Sequence, residues 1–152
     1  MEDALKPAVE SAALGMEEAG QPLLGQRVLL VESDVRAIYA LSALLVEQGL
    51  QVVPATNGIE ALERFDEDAF DLALVDMALA DEGAPALIRE LRNDYGCQVP
   101  IVALVAGDDP AARDRCIALG ADDVLFKPVE GRSLVELLRR CLARVDDPHK
   151  SP

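Results

Sequence analysis

Short, wholly apolar runs alternate along this chain with longer stretches in which apolar residues recur every three or four positions. Arg27-Val-Leu-Leu-Val31 is the first short run. It predicts a strand buried on both faces, since a half-exposed strand would be polar at every second residue. Val35, Ile38, Leu41 and Leu45 follow at the spacing of one side of a helix, and Gly49 stands where that helix should stop. Gln51-Val-Val-Pro54 predicts a shorter strand, placed at a sheet edge because proline lacks a ladder donor. Asn57-Gly58 then opens a helix carrying Ile59, Leu62 and Phe65. Asp71–Val75 is a second buried strand, and Ala84–Arg92 a helix turning Leu87, Ile88 and Leu91 inward. Pro100–Val105 is a third buried strand. Pro110–Leu119 is a helix with proline in its first turn and Gly120 past its end. Asp123–Phe126 is the last strand. Leu134, Leu137, Leu138, Cys141, Leu142 and Val145 mark the last helix.

Strand–helix alternation predicts an α/β protein whose parallel sheet is covered on both faces. Right-handed crossovers and a second strand at the edge favour a doubly wound (βα)₅ sheet in the order 2-1-3-4-5. The pattern occupies residues 27–145. Residues 1–26 read as a leader with a thin apolar stripe at Leu5, Val9, Ala12 and Met16, expected to act as a linker. The polar stretch 146–152 reads as a frayed tail.

Charge narrows the partners. The chain has 152 residues and a net charge of −14. Nucleic acid and anionic lipid both require a basic face, so neither is expected as a partner. No apolar run reaches the ~20 residues of a membrane span, and no basic signal-peptide start is present, so a cytoplasmic location is expected. Cys97, Cys116 and Cys141 show no metal-ligand spacing and read as buried small hydrophobes. His149, the one histidine, lies in the tail, which leaves no Ser-His-Asp or Cys-His machine to build.

In a 2-1-3-4-5 sheet, ligands bind beyond the carboxyl ends of the strands, where strand order reverses between strands one and three. The residues there are Glu32-Ser33-Asp34, Asp76, Val105-Ala106-Gly107 and Lys127-Pro128. The first turn contains no glycine, so the phosphate-cradling motifs are missing. A crevice lined with carboxylates favours a cation over a nucleotide.

These residues, in this order on this pattern, resemble the receiver domain of two-component signalling proteins. Val31-Glu-Ser-Asp-Val-Arg-Ala-Ile-Tyr-Ala-Leu-Ser and Ala55-Thr-Asn-Gly-Ile-Glu-Ala-Leu resemble in particular the receivers of hybrid histidine kinases. The resemblance implies a signalling module rather than an enzyme. It makes Asp76 the acceptor of a phosphoryl group from a histidine kinase, Lys127 the charge-balancing lysine, and Glu32 and Asp34 the acidic pocket with Asp76. For Asp34, capping of the next helix is the competing role. It further implies Mg²⁺ between the two anions.

Three departures from the family stand together. Ser33 occupies the position of a second metal-binding acid, so Mg²⁺ should bind weakly. Val105 replaces a hydroxyl residue that bonds the phosphoryl group. Val124 replaces the aromatic residue that swings with it. A degenerate receiver, acting mainly through protein interaction, is therefore expected. The alternatives are a working phosphoacceptor and a nucleotide-sensing pseudo-receiver using Arg113, Arg115 and Arg132. The fourth helix, fifth strand and fifth helix form the expected partner or homodimer face, around Ile117, Arg139 and Arg140. Its apolar part is expected from surplus width in the last helix's stripe.

Overall fold

A computed structural model describes residues 24–107 and 109–146, with side chains described through residue 142. Most of the expected leader and the tail after Asp146 lie outside the described residues. The five strands are β1 (Arg27–Val31), β2 (Gln51–Ala55), β3 (Leu72–Asp76), β4 (Ile101–Ala106) and β5 (Asp123–Lys127). The helices are α1 (Val35–Glu47), α2 (Gly58–Glu67), α3 (Ala84–Asn93), α4 (Pro110–Leu119) and α5 (Gly131–Asp146). All pairings are parallel, in the order β2-β1-β3-β4-β5. Pro54 sits on an edge strand opposite Leu30, as its missing donor requires.

Alternation along each strand divides the core. Leu29, Val31, Ala73, Val75, Ile101 and Ala103 point to one face, where α2, α3 and α4 supply Ala61, Ile88, Leu91 and Cys116. Val28, Leu30, Leu72, Leu74, Val102 and Leu104 point to the other, covered by Leu41 and Leu45 of α1 and by α5. Each large aliphatic side chain so buried contributes about 1.5–3 kcal/mol. The three cysteines are free and buried.

Helix starts are set by short polar side chains. Asp34, Asn57 and Asp109 accept hydrogen bonds from the backbone N–H groups of Arg36, Glu60 and Ala111. Gly120, at φ +123°, ends α4 in a conformation that side chains rarely adopt.

Three expectations about surfaces are overturned. Val35 and Ile59, grouped by period with the apolar side of each helix, are 70% and 73% exposed, each in the first turn of its helix. Among the described residues the stripe of α5 leaves no surplus: Leu134, Leu137, Leu138, Cys141 and Leu142 are all buried against the sheet, and the side chain of Val145 lies outside the described residues. Its width matches a broad sheet face rather than a narrow helix seam.

Candidate functional site

The chain turns at the carboxyl ends of β1, β3 and β5 bring three ionisable side chains together. Glu32 follows β1, its N–H held by the Ala55 carbonyl at 2.9 Å. Asp76 closes β3 and Lys127 closes β5. Glu32 and Asp76 are the buried charged residues among those described, at 1% and 2% exposed. Lys127 Nζ lies 2.7 Å from Asp76 Oδ2 and 3.6 Å from Glu32 Oε1. The other Asp76 oxygen, Oδ1, accepts the Ala78 N–H at 2.9 Å. Glu32 Oε2 accepts the Asp34 N–H at 3.2 Å.

Two buried carboxylates beside one lysine cannot both ionise cheaply. Burial pushes the Glu32 carboxyl up to about 7, helped by a hydrogen bond to Asp76. Burial acts on Asp76 in the same sense but is outweighed: bonds with Glu32, Lys127 and the Ala78 N–H hold it below its ordinary value. Lys127 is half-buried, which by itself would lower its pKa, yet its bond to Asp76 raises it. Below about pH 7 Glu32 therefore holds a proton beside ionised Asp76 and charged Lys127. Glu32 Oε1 is buried and accepts no hydrogen bond. A proton or a cation would satisfy it.

The remaining expected residues divide. Asp34 is exposed, and its carboxylate caps α1 by accepting the Arg36 N–H at 3.0 Å, so helix capping rather than the pocket takes that side chain. Ser33 faces the turn after β3, where its Oγ accepts the Ala80 N–H at 3.1 Å. Val105 is half-buried on β4, packed beside the sheet core, and offers no donor. Val124 is buried on β5 and lines a cleft of about 270 Å³ with Phe126, Pro128, Glu130 and Ser133. Ile117 is 42% exposed. Arg139 is half-buried, and exposed Arg140 pairs with Asp123 at 3.7 Å.

Sequence reasoning missed the backbone donors of Ala78 and Ala80, which no residue type advertises. It also missed Asp81, which accepts from Gly83 N–H at 3.0 Å and Gly58 N–H at 3.3 Å and so ties this loop to the start of α2. The Asp81-Glu-Gly83 spacing was the available signal.

Mg²⁺ takes one or two carboxylates and keeps several waters. Glu32 and Asp76 have that chemistry, and Glu32 Oε1 is the unsatisfied oxygen such an ion would meet. Among the described residues no group of three or more His, Cys, Asp or Glu side chains is arranged for a metal. Glu32 and Asp76 are the residues that would hold such a cation.

A family model described as the response regulator receiver domain matches residues 28–139. The chain belongs to that family. Over 122 residues it is 33% identical to a CpxR homolog, a transcriptional regulatory protein of Haemophilus influenzae, covering 80% of this chain and 52% of that protein. It is 26% identical to hybrid signal transduction histidine kinase I of Dictyostelium discoideum, over 90% of this chain and 8% of the kinase. The chain thus spans about half the length of the transcriptional regulators it matches. Among solved structures, a response regulator from Chloroflexus aurantiacus shares 29% identity at a TM-score of 0.75, covering 79% of this chain and 99% of its own. Chemotaxis response regulator CheY4 of Vibrio cholerae shares the fold at a TM-score of 0.71 and 24% identity, over 77% and 98% of the two chains. Among the described residues no helix is long and apolar enough to cross a membrane.

Proposed function

We propose that this receiver domain works in two-component signalling mainly as a regulatory interaction module, with an acceptor aspartate whose readout is weakened. The observation that carries the proposal is the contrast within one site. Asp76 keeps its lysine at 2.7 Å and a backbone donor on its other oxygen. Val105 and Val124, by contrast, bring no hydroxyl and no aromatic ring to the strand ends beside it.

In the transfer, one Asp76 carboxylate oxygen attacks the phosphorus of a phosphohistidine. The P–O bond forms as the P–N bond breaks, and the imidazole leaves with the electron pair. The Ala78 N–H orients Asp76, and the Lys127 ammonium offsets charge gathering on the phosphoryl oxygens. When bound, Mg²⁺ supplies further charge neutralisation. Glu32, releasing its proton, and Asp76 are the residues that would hold the ion.

The partner under this proposal is a histidine kinase or a phosphotransfer protein. One neighbour, the receiver domain of Ssk1, was crystallised with the histidine phosphotransfer protein Ypd1. Association through α4, β5 and α5 would rest on Ile117 and on arginine charge, since the α5 stripe is buried. Nucleotide sensing has less support. Arg113 and Arg115 pair with Asp123 at 2.7 Å and Asp109 at 3.5 Å instead of opening an anion site.

A labelled phosphorylated histidine kinase, mixed with the chain and Mg²⁺, tests the acceptor. Acid-stable, base-labile label should appear on the wild type and be lost in Asp76→Asn. Absence of label on the wild type, with a control receiver labelled in parallel, would leave interaction alone as the function.

A further inference from the structure

A surface helix normally turns a charged, polar face to water. α1 does not: between Arg36 and Glu47 it has no charged residue. Leu41 and Leu45 enter the core, yet Val35, Tyr39 and Val46 stay 70%, 79% and 59% exposed. Ala40 and Ala43 are exposed between them, and exposed Arg36 and Glu47 close the face at its two ends. On a chain of net charge −14, this is an uncharged face bounded by one cation and one anion. Exposed apolar surface rimmed by charge marks an association site.

The order of the charges selects the occupant. Two copies of α1 laid antiparallel about a two-fold axis near Leu41 bring Arg36 of each beside Glu47 of the other. The same axis sets Tyr39 over the small Ala43 and Val35 beside Val46, and each contact is made twice. A parallel pairing would instead set Arg36 on Arg36 and Glu47 on Glu47. Opposed helix dipoles favour the antiparallel arrangement too. Among the described residues neither Arg36 nor Glu47 has an ion-pair partner within the chain, so both are available. Ala40 and Ala43 let the two axes approach to ~8 Å at mid-length. We infer that α1 is a self-association surface, pairing with α1 of a second copy in an antiparallel two-fold dimer.

The arginines of α4 and α5 offer no comparable face. Arg113 and Arg140 are engaged on Asp123 and Arg115 on Asp109. Among the described residues of those helices, Ile117 is the one large apolar side chain exposed. Repulsion between the two acidic bodies is screened beyond ~8 Å at physiological salt. One helix pair buries less than the ~1,200 Å² of a stable interface, so the dimer is reversible, with a Kd on the order of 100 μM. α1 begins three residues after Glu32, so a second copy stands beside the pocket and takes this face from any other protein.

Charge reversal gives the test. Sedimentation of the full chain up to about 500 μM should show a monomer–dimer equilibrium. Arg36→Glu alone and Glu47→Arg alone should each weaken it at least tenfold, about 1.4 kcal/mol, because each sets like charges together. The double variant should recover the wild-type affinity. So should an equimolar mixture of the two single variants, in which every facing pair is again opposite in charge. Both positions are exposed, so urea midpoints at low concentration should not fall. Arg140→Glu, on α5, should leave association unchanged. A wild type that stays monomeric throughout the range would overturn the proposal and leave the face to a different protein. Association that survives both single reversals, or that is lost in Arg140→Glu, would overturn it in favour of another face.

Discussion

Glu32 makes the site sensitive to pH when no cation is bound. Its folded value, about 7, lies above its ordinary 4.5. A carboxyl raised in this way favours the folded state while protonated. Its contribution is complete below its ordinary value and is lost as pH rises through about 7. Asp76 runs the other way: held below 3.8, it contributes above that value and loses this only in stronger acid. Cation-free stability should therefore fall between about pH 5 and about pH 8, with a slope approaching ~1.4 kcal/mol per pH unit. Glu32→Gln keeps a donor for Asp76 and has nothing to ionise, so urea midpoints measured across that range should flatten in the variant. An equal fall in both proteins would mean that other groups set the pH dependence. Ser33 bears on the same pocket from the other side. Ser33→Asp adds a carboxylate and should tighten Mg²⁺ by roughly tenfold, about 1.4 kcal/mol, in a calorimetric titration. Unchanged affinity would mean that the Ser33 bond to Ala80, not its missing charge, is what matters at that position.

At the scale of elements, one side chain ties several segments at the end of the sheet opposite the pocket. Arg92, near the end of α3, donates to the carbonyls of Gly120, Cys97 and Val99 at 2.8, 2.9 and 2.9 Å, and it pairs with Asp122. Asp122 in turn accepts the Ile101 N–H at 2.8 Å. One guanidinium thus ties α3, the entry to β4 and the α4–β5 turn. Arg92→Met keeps the aliphatic packing and removes every donor, and should cost about 2–4 kcal/mol in chemical denaturation. Gly120→Ala should cost ~1–3 kcal/mol, because φ is +123° there and a new Cβ would stand 2.9 Å from Arg92 Cγ. A cost near zero for Arg92→Met would show that water replaces the clamp. The apolar runs announced β1, β3 and β4, because burial on two faces leaves only apolar residues, while Pro54 marked β2 as an edge and, with right-handed crossovers, pointed to the sheet order. Helix faces were less legible. Val35 and Ile59 match the helical period, but period alone does not say which first-turn residues reach the core. The clamp was invisible, since its acceptors are backbone carbonyls. In the pocket, Glu32, Asp76 and Lys127 were readable as strand-end residues. The turn of Ser33 toward Ala80 was not, because it depends on the path of a distant loop.

For the whole molecule, the question is how far an event at Asp76 is felt. A modification shifts an equilibrium only through contacts that differ between the two states. Asp76 touches β5 through Lys127, so charge is transmitted to the strand end. Beyond that point the route lacks parts. Val105 has no hydroxyl to follow a phosphoryl oxygen. Val124 is small and already buried at the wall of the cleft of about 270 Å³, so its own side chain cannot swing to fill or empty it. The arginines near that face are engaged locally, Arg113 and Arg140 both on Asp123. A phosphoryl mimic such as beryllofluoride should accordingly shift amide resonances at residues 76–83 and 127–130 and leave those of α4 and α5 nearly unchanged. Installing Val105→Thr with Val124→Tyr should extend the shifts to α4 and α5, since one change restores a donor and the other a side chain with two places to go. Large shifts on α4 and α5 in the wild type would show a route through the core that needs neither residue. A double variant as silent as the wild type would locate the block elsewhere, in the Ser33-anchored loop that follows Asp76.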